Sequence, residues 1–207
     1  MIKTEFILSG EFEVNCYIVY DNISKKAIII DPGQDGRKVI DKIENLNLTP
    51  ELLINTHGHF DHTYSDDILR QKYNIPLAIH KKDMEMLSDA NKNFSTIVGS
   101  PIIINKADII FEKEEIKETS FCKYSVIYTP GHSKGSVCLF IENILFSGDT
   151  VFKNSIGRTD LYGGNEKELI SSLQKIKKLP KDTIIYPGHG PFTILKEELE
   201  NNPYFKL

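Results

Sequence analysis

No apolar run in this chain is long enough to span a bilayer. The N-terminus, Met1-Ile2-Lys3-Thr4-Glu5-Phe6, is interrupted by charges and has no signal-like apolar segment. Those two absences predict a cytoplasmic protein without a membrane partner. Gly/Ser linkers and low-complexity tracts are missing as well, so no internal boundary is signalled. The 207 residues are expected to form one domain, 1–207, with ample length for a core. Basic blocks are absent: 25 Lys and Arg against 29 Asp and Glu leave a formal charge of −4, which argues against a nucleic-acid partner. Cysteine is scarce, three residues with no Cys-x-x-Cys pair. Cys16, Cys122 and Cys138 therefore read as reduced thiols packed in or near strands.

What the chain does have is a concentration of metal-binding side chains. Thr56-His57-Gly58-His59-Phe60-Asp61-His62 puts three histidines and an aspartate into six positions, 57–62. Imidazole nitrogen and carboxylate oxygen are donors that Zn²⁺ and other first-row cations accept. Left without a cation, the cluster would crowd strongly hydrated groups against an apolar strand. One tetrahedral ion does not easily take four ligands from six successive residues. His57 and His59 are two apart and point the same way from an extended backbone, whereas Asp61 and His62 diverge towards another point. The spacing thus predicts one ion on His57 and His59 and a second on Asp61 and His62.

Five short apolar runs each end in a His or an Asp beside glycine or proline. They are Ala27–Ile30 before Asp31, Leu52–Ile54 before His57, Val126–Tyr128 before His132, Ile144–Phe146 before Asp149, and Ile184–Tyr186 before His189. Such runs read as buried strands, and in an α/β sandwich their ends can open onto one edge where sites form. Strands are also expected at 12–20, 76–80 and 137–142. Helices are expected at 36–47, at 66–72 with Ile68 and Leu69 facing inward, at 82–89, at 165–178 and at 195–201. His80 reads as a strand-end surface residue before Lys81-Lys82-Asp83. The stretch 91–107 reads as an irregular loop near the site, with Phe94 either a packed aromatic or a substrate contact.

His57-x-His59-x-Asp61-His62, Pro130-Gly131-His132, Gly148-Asp149 and Pro187-Gly188-His189-Gly190 together resemble the metallo-β-lactamase superfamily. Ser155-Ile156-Gly157-Arg158-Thr159-Asp160 and Gly188-His189-Gly190-Pro191 are similar to the short bacterial glyoxalase II-like hydrolases. The resemblance implies an α/β fold, an αβ/βα sandwich of two mixed sheets packed face to face with helices on the outer faces. It implies that His57, His59 and His132 hold metal one, that Asp61, His62 and His189 hold metal two, that Asp149 bridges them, and that Asp31 lies behind the ligands. Five of the six histidines are then ligands. Two Zn²⁺ are the implied cofactors, with Fe or Mn as alternatives in one or both sites. The implied reaction is hydrolysis of a small-molecule thioester by a metal-bridging hydroxide, with Asp61 as the candidate proton acceptor.

The chain also departs from full-length glyoxalase II enzymes. It ends at Leu207 without their C-terminal helical extension, the turn at Arg158-Thr159-Asp160 lacks their tyrosine, and Pro191 stands where another tyrosine follows the last ligand. A thiol carrier other than glutathione is therefore open. Arg158 is a candidate for binding a carboxylate, against an internal pair with Asp160; Lys134 and Lys153 are weaker candidates. The alternatives to a thioester hydrolase are a mononuclear-iron persulfide dioxygenase, a β-lactam hydrolase, a nuclease of the same superfamily and a non-catalytic binding protein.

Overall fold

The structure, a computed structural model, describes residues 1–99 and 101–207. The first half of the chain carries β1 (Ile2–Ser9), β2 (Val14–Asp21), β3 (Lys26–Ile30), α1 (Gly36–Asn45), β4 (Thr49–Ile54), α2 (Phe60–Thr63), α3 (Asp66–Tyr73), β5 (Leu77–His80), α4 (Met84–Leu87) and β6 (Ile109–Phe111). The second half carries β7 (Glu115–Glu118), β8 (Lys123–Tyr128), β9 (Val137–Ile141), β10 (Ile144–Gly148), β11 (Val151–Phe152), β12 (Ser155–Ile156), α5 (Glu166–Ile176), β13 (Ile184–Pro187), β14 (Thr193–Ile194) and α6 (Leu195–Asn201). One six-stranded sheet runs β1-β2-β3-β4-β5-β6 and another runs β14-β13-β10-β9-β8-β7, with β11 and β12 as a separate pair. Both sheets are mixed: β3, β4, β5 and β6 are mutually parallel, β10 is parallel to β13, and the remaining neighbours are antiparallel.

The central strands, such as β2, β3 and β10, are apolar almost without interruption because they are covered on both faces, whereas the outer strands β1 and β7 carry charged, exposed residues. Along β2 and β3, Tyr17, Val19, Ile28 and Ile30 point one way, into a core shared with Val126, Leu139, Ile141 and Phe146 of the other sheet. Their neighbours Ile18, Tyr20, Ala27 and Ile29 point the other way and pack with Val39 and Ile43 of α1 and Leu69 of α3. On the far side, Cys138, Leu145 and Ile185 pack with Leu173 and Ile176 of α5 and Leu195 of α6. The result is the expected sandwich, sheet against sheet with helices on both outer faces.

Several expectations need correction. Strand β2 begins at Val14, because Gly10–Glu13 form a turn closed by Glu13 N–H to the Gly10 carbonyl (3.2 Å). Helix α4 is four residues long, preceded by a 3₁₀ turn over Lys81–Asp83. Leu69 is fully buried but Ile68 is 48% exposed, since adjacent helical residues lie about 100° apart and cannot share one inward stripe this narrow. His80 is only 2% exposed and is not a surface residue. Its ring stacks on Tyr128 at 4.5 Å, and its Nδ1 accepts the Lys82 N–H, so the charged run that follows leaves it underneath. Of the loop 91–107, Ser95–Val98 form a 3₁₀ turn, and Ser100 lies outside the described residues. All three cysteines are free, Cys16 and Cys138 buried. Among the described residues no helix is long and apolar enough to cross a membrane.

Candidate metal centre

The predicted donors leave the C-terminal ends of strands that run the same way. β3 delivers Asp31 and the parallel β4 delivers His57 and His59; α2, which follows, carries Asp61 and His62. β8 leads to His132, β10 to Asp149 and the parallel β13 to His189. The two sheets are tied together at this edge. Val137 N–H donates to the Thr56 carbonyl (2.9 Å) and Asn15 N–H to the Gly188 carbonyl (2.7 Å). The side chains of Asn15 and Tyr17 both donate to the Pro187 carbonyl, at 3.0 and 2.7 Å.

Residues distant in sequence thereby meet. The donor atoms of His57, His59 and His132 lie within 4.8 Å of one another, as do those of His57, His62 and Asp149, and those of Asp61, His62 and His189. Asp149 stands between the groups, one oxygen 3.4 Å from His62 Nε2 and the other 3.5 Å from His132 Nε2. His132 Nε2 is 2.9 Å from His59 Nδ1, His62 Nε2 is 3.2 Å from His189 Nε2, and His189 Nε2 is 3.4 Å from Asp61 Oδ2. Donors about 2.0–2.1 Å from a tetrahedral zinc sit about 3.3 Å apart, so these separations match the edges of such a polyhedron.

Hydrogen bonds behind the donors orient the rings. His57 Nδ1 donates to Thr56 Oγ1 (3.1 Å), whose hydroxyl donates to Asp31 Oδ2 (2.7 Å), and Asp31 Oδ1 accepts the Thr56 N–H (2.8 Å). His132 Nδ1 donates to the Arg158 carbonyl (2.8 Å) and His189 Nδ1 to the Phe12 carbonyl (2.9 Å). Each of these bonds places the proton on Nδ1 and leaves the Nε2 lone pair facing the site. His62 Nδ1 faces Asp31 Oδ2 at 3.1 Å without hydrogen-bond alignment.

Charge is divided unevenly across the pocket. Burial, then the neighbouring imidazoles, hold His57 well below its ordinary pKa; burial and His132 push His59 down to about 3. At His62 burial pulls down too, but the carboxylates of Asp149, Asp61 and Asp31 outweigh it and raise the ring well above its usual range. Burial would raise Asp149, yet the histidines around it, His62 first, hold it well below the carboxylate range; Asp61 is lowered likewise. His57 and His59, held neutral, and the ionised Asp149 and Asp61 are in the donor form a divalent cation takes, whereas His62 gives up a proton to become a ligand.

Two further observations fit a cation. Buried His57 Nε2, His59 Nε2 and Asp149 Oδ1 have no hydrogen-bond partner, a state that costs free energy unless something else satisfies them. Gly188 lies so close that a Cβ there would collide with Asp149 Oδ1 and stand 2.7 Å from His62 Cε1.

The profile of the metallo-beta-lactamase superfamily matches residues 9–189. The chain belongs to that superfamily. It is 35% identical over 199 residues to the probable metallo-hydrolase YqgX of Bacillus subtilis, covering 94% of this chain and 93% of that one. It is 34% identical over 209 residues to the hydroxyacylglutathione hydrolase GloC of Haemophilus influenzae, covering 98% of each. Among solved structures, the BLEG-1 B3 metallo-beta-lactamase superposes with a TM-score of 0.96 at 38% identity, over 99% of this chain and 100% of that one. TTHA1623 in a di-iron-bound form superposes with 0.84 at 31% identity, over 97% and 99%. Superfamily and donor clusters together make this protein a metal-dependent enzyme of the metallo-hydrolase kind, built for divalent cations.

Around the donors the superfamily site is a cleft of about 460 Å³. Phe94 lines it, its ring 5.6 Å from that of His59, and it holds a left-handed backbone (φ 69°) that costs a non-glycine residue about 1–3 kcal/mol. Buried Asn93 and Ser95 fix it there through Asn93 to the Ile102 carbonyl (2.9 Å) and Ser95 Oγ accepting the Ile102 N–H (2.9 Å). Arg158 is at the rim, paired to Asp160 through two bonds of 2.8 and 2.7 Å, the internal pair that competed with a substrate role. Lys134 and Lys153 do not line the cleft.

Asp83 was not foreseen. Fully buried, it accepts from Gly58 N–H (3.0 Å), Ser133 Oγ and Gly135 N–H, and so ties the turn holding His57 and His59 to the turn holding His132. Its sequence setting, after Lys81-Lys82, carried no sign of burial.

Proposed function

We propose that this protein is a dinuclear zinc hydrolase of thioesters, of the hydroxyacylglutathione hydrolase type, carried by a single domain over 1–207. What supports the reading is the completeness of the donor set: seven side chains in three groups that overlap at His57 and His62. His57, His59 and His132 would hold one ion, Asp61, His62 and His189 the other, with Asp149 between them and Asp31 steadying His57 through Thr56. Bound there, two cations would supply Lewis acidity towards a carbonyl oxygen and lower the pKa of a bound water to about 7. Asp61, ionised and at the cleft wall, is the group placed to accept the proton of the attacking water.

Hydrolysis joins the water oxygen to the carbonyl carbon and breaks the C–S bond, giving a carboxylate and a thiol. A thiol of pKa about 8.5 departs as thiolate without a proton donor. Apart from the proposed ligands, Arg158 is the one titratable side chain among the described residues lining the cleft, and it is no general acid at neutral pH. The likeness to GloC over nearly all of both chains supports the same substrate class.

The likeness to BLEG-1 favours a second reading, hydrolysis of a β-lactam amide. One experiment separates them. Protein of measured metal content is assayed with S-lactoylglutathione and other thioesters, with a chromogenic cephalosporin, and for oxygen uptake with glutathione persulfide. The thioester reading expects two zinc ions, thiol release and no oxygen consumption. Cephalosporin turnover without thioester cleavage, or oxygen uptake on a single iron, would overturn it.

A further inference from the structure

The metal floor of the cleft is walled by hydrocarbon on both of its flanks. Phe94 stands beside His59, with Ile97 next to it along the wall. Phe152 stands 6.1 Å, ring to ring, from His189, and Phe12 packs edge-on against Phe60 at 5.2 Å on the same cleft. Leu161 adds to the rim. A carbonyl laid over the two donor groups therefore meets apolar walls whichever way the thioester runs.

Charge recognition is correspondingly poor. Among the described residues lining the cleft, Arg158 is the one cation apart from the donor histidines, and Asp160 already occupies the Nε–Nη2 edge of its guanidinium. A substrate carboxylate would meet a guanidinium whose charge Asp160 already offsets, and among the described residues lining the cleft no lysine or second arginine waits for another carboxylate. Glutathione carries two carboxylates, and this wall offers at most the remaining edge of one guanidinium for them.

Resting on the thioester reading above, we infer that the cleft selects thioesters whose acyl and thiol groups are both uncharged and apolar, with Phe94 and Phe152 as the specificity-determining contacts. Apolar groups gain from leaving water for such walls, whereas a carboxylate brought there loses hydration without a paired cation.

The test varies both ends of the substrate on the metal-loaded enzyme: S-hexanoyl-N-acetylcysteamine, S-lactoyl-N-acetylcysteamine, S-hexanoylglutathione and S-lactoylglutathione. The first is expected to exceed the last in kcat/KM by at least tenfold, with the mixed pairs between them. Phe94→Ser should remove most of that preference and Phe94→Leu should keep it. S-lactoylglutathione turned over as well as or better than S-hexanoyl-N-acetylcysteamine overturns the inference and leaves the thioester reading standing. A binding readout covers the converse: calorimetry with the uncleavable thioethers S-hexyl-N-acetylcysteamine and S-methylglutathione. Tighter binding of the hexyl compound, lost in Phe94→Ser, supports the apolar cleft even where no thioester is cleaved; equal or weaker binding overturns it.

Discussion

At the scale of single residues, the donors and Asp31 behind them were legible, and Asp83 was not. His57, His59, Asp61 and His62 are conspicuous because so many strongly hydrated side chains rarely crowd one turn. Asp83 is a single acid in a charged run, and nothing local distinguishes it from a solvated one. Its three bonds make it costly to remove: Asp83→Ala leaves Gly58 N–H, Gly135 N–H and the Ser133 hydroxyl without their shared acceptor. Equilibrium denaturation should show a loss of about 3 kcal/mol, and an unchanged midpoint would mean the carboxylate is not the tie described. His80 was misread for a similar reason, since burial came from Tyr128, which is remote in sequence. Burial, with Lys82 second, lowers its pKa to about 4 from an ordinary 6.5. The folded ring therefore resists a proton that the unfolded chain accepts, and its contribution is lost as pH falls from 6.5 through about 4. His80→Phe keeps a flat ring against Tyr128 and should flatten that fall by about 1–2 kcal/mol, after allowance for solvent screening. Parallel stability curves for the two proteins would rule the argument out.

At the scale of elements, strand runs announced their own ends because each stops at glycine or proline beside a donor. Boundaries were less readable. A helix was expected over 82–89, yet the segment is a 3₁₀ turn and a four-residue helix, with the Asp83 carboxylate at their junction accepting from Gly58, Ser133 and Gly135. Helix α5 was legible in its position, with Leu169, Leu173 and Ile176 as its buried stripe; it ends at Ile176, short of the expected 178, and Asn165 lies outside it as the cap, accepting the Glu168 N–H at 3.2 Å. Asn165 also donates its own N–H to the Gly131 carbonyl at 2.7 Å, which joins the start of the helix to the turn that carries His132. Asn165→Ala should cost about 1 kcal/mol in thermal unfolding. A variant as stable as the parent would show that the cap contributes nothing here. Gly188→Ala should act on the centre itself: the added Cβ has to push Asp149 or His62 aside, so bound metal is expected to fall. Full metal content in that variant would show that Asp149 is not held where the structure has it.

For the whole molecule, the sandwich was implied by the resemblance to the superfamily and agreed with the order of the elements; it follows physically from central strands apolar on both faces. How the halves meet could not be read from the sequence. Register across the joint depends on Asn15, Tyr17 and Val137 reaching Pro187, Gly188 and Thr56, contacts between segments far apart in the chain. Those contacts bring the His57–His62 turn of one sheet to His132, Asp149 and His189 of the other. Neither sheet alone carries a complete set of donors. The most direct test is the metal stoichiometry of purified protein, wild type beside Asp149→Ala, by mass spectrometry of the metals with activity measured on the same samples. Two divalent ions per chain in the wild type, and a joint loss of metal and activity in the variant, are the predicted results. A variant that keeps both ions and full activity would contradict the account.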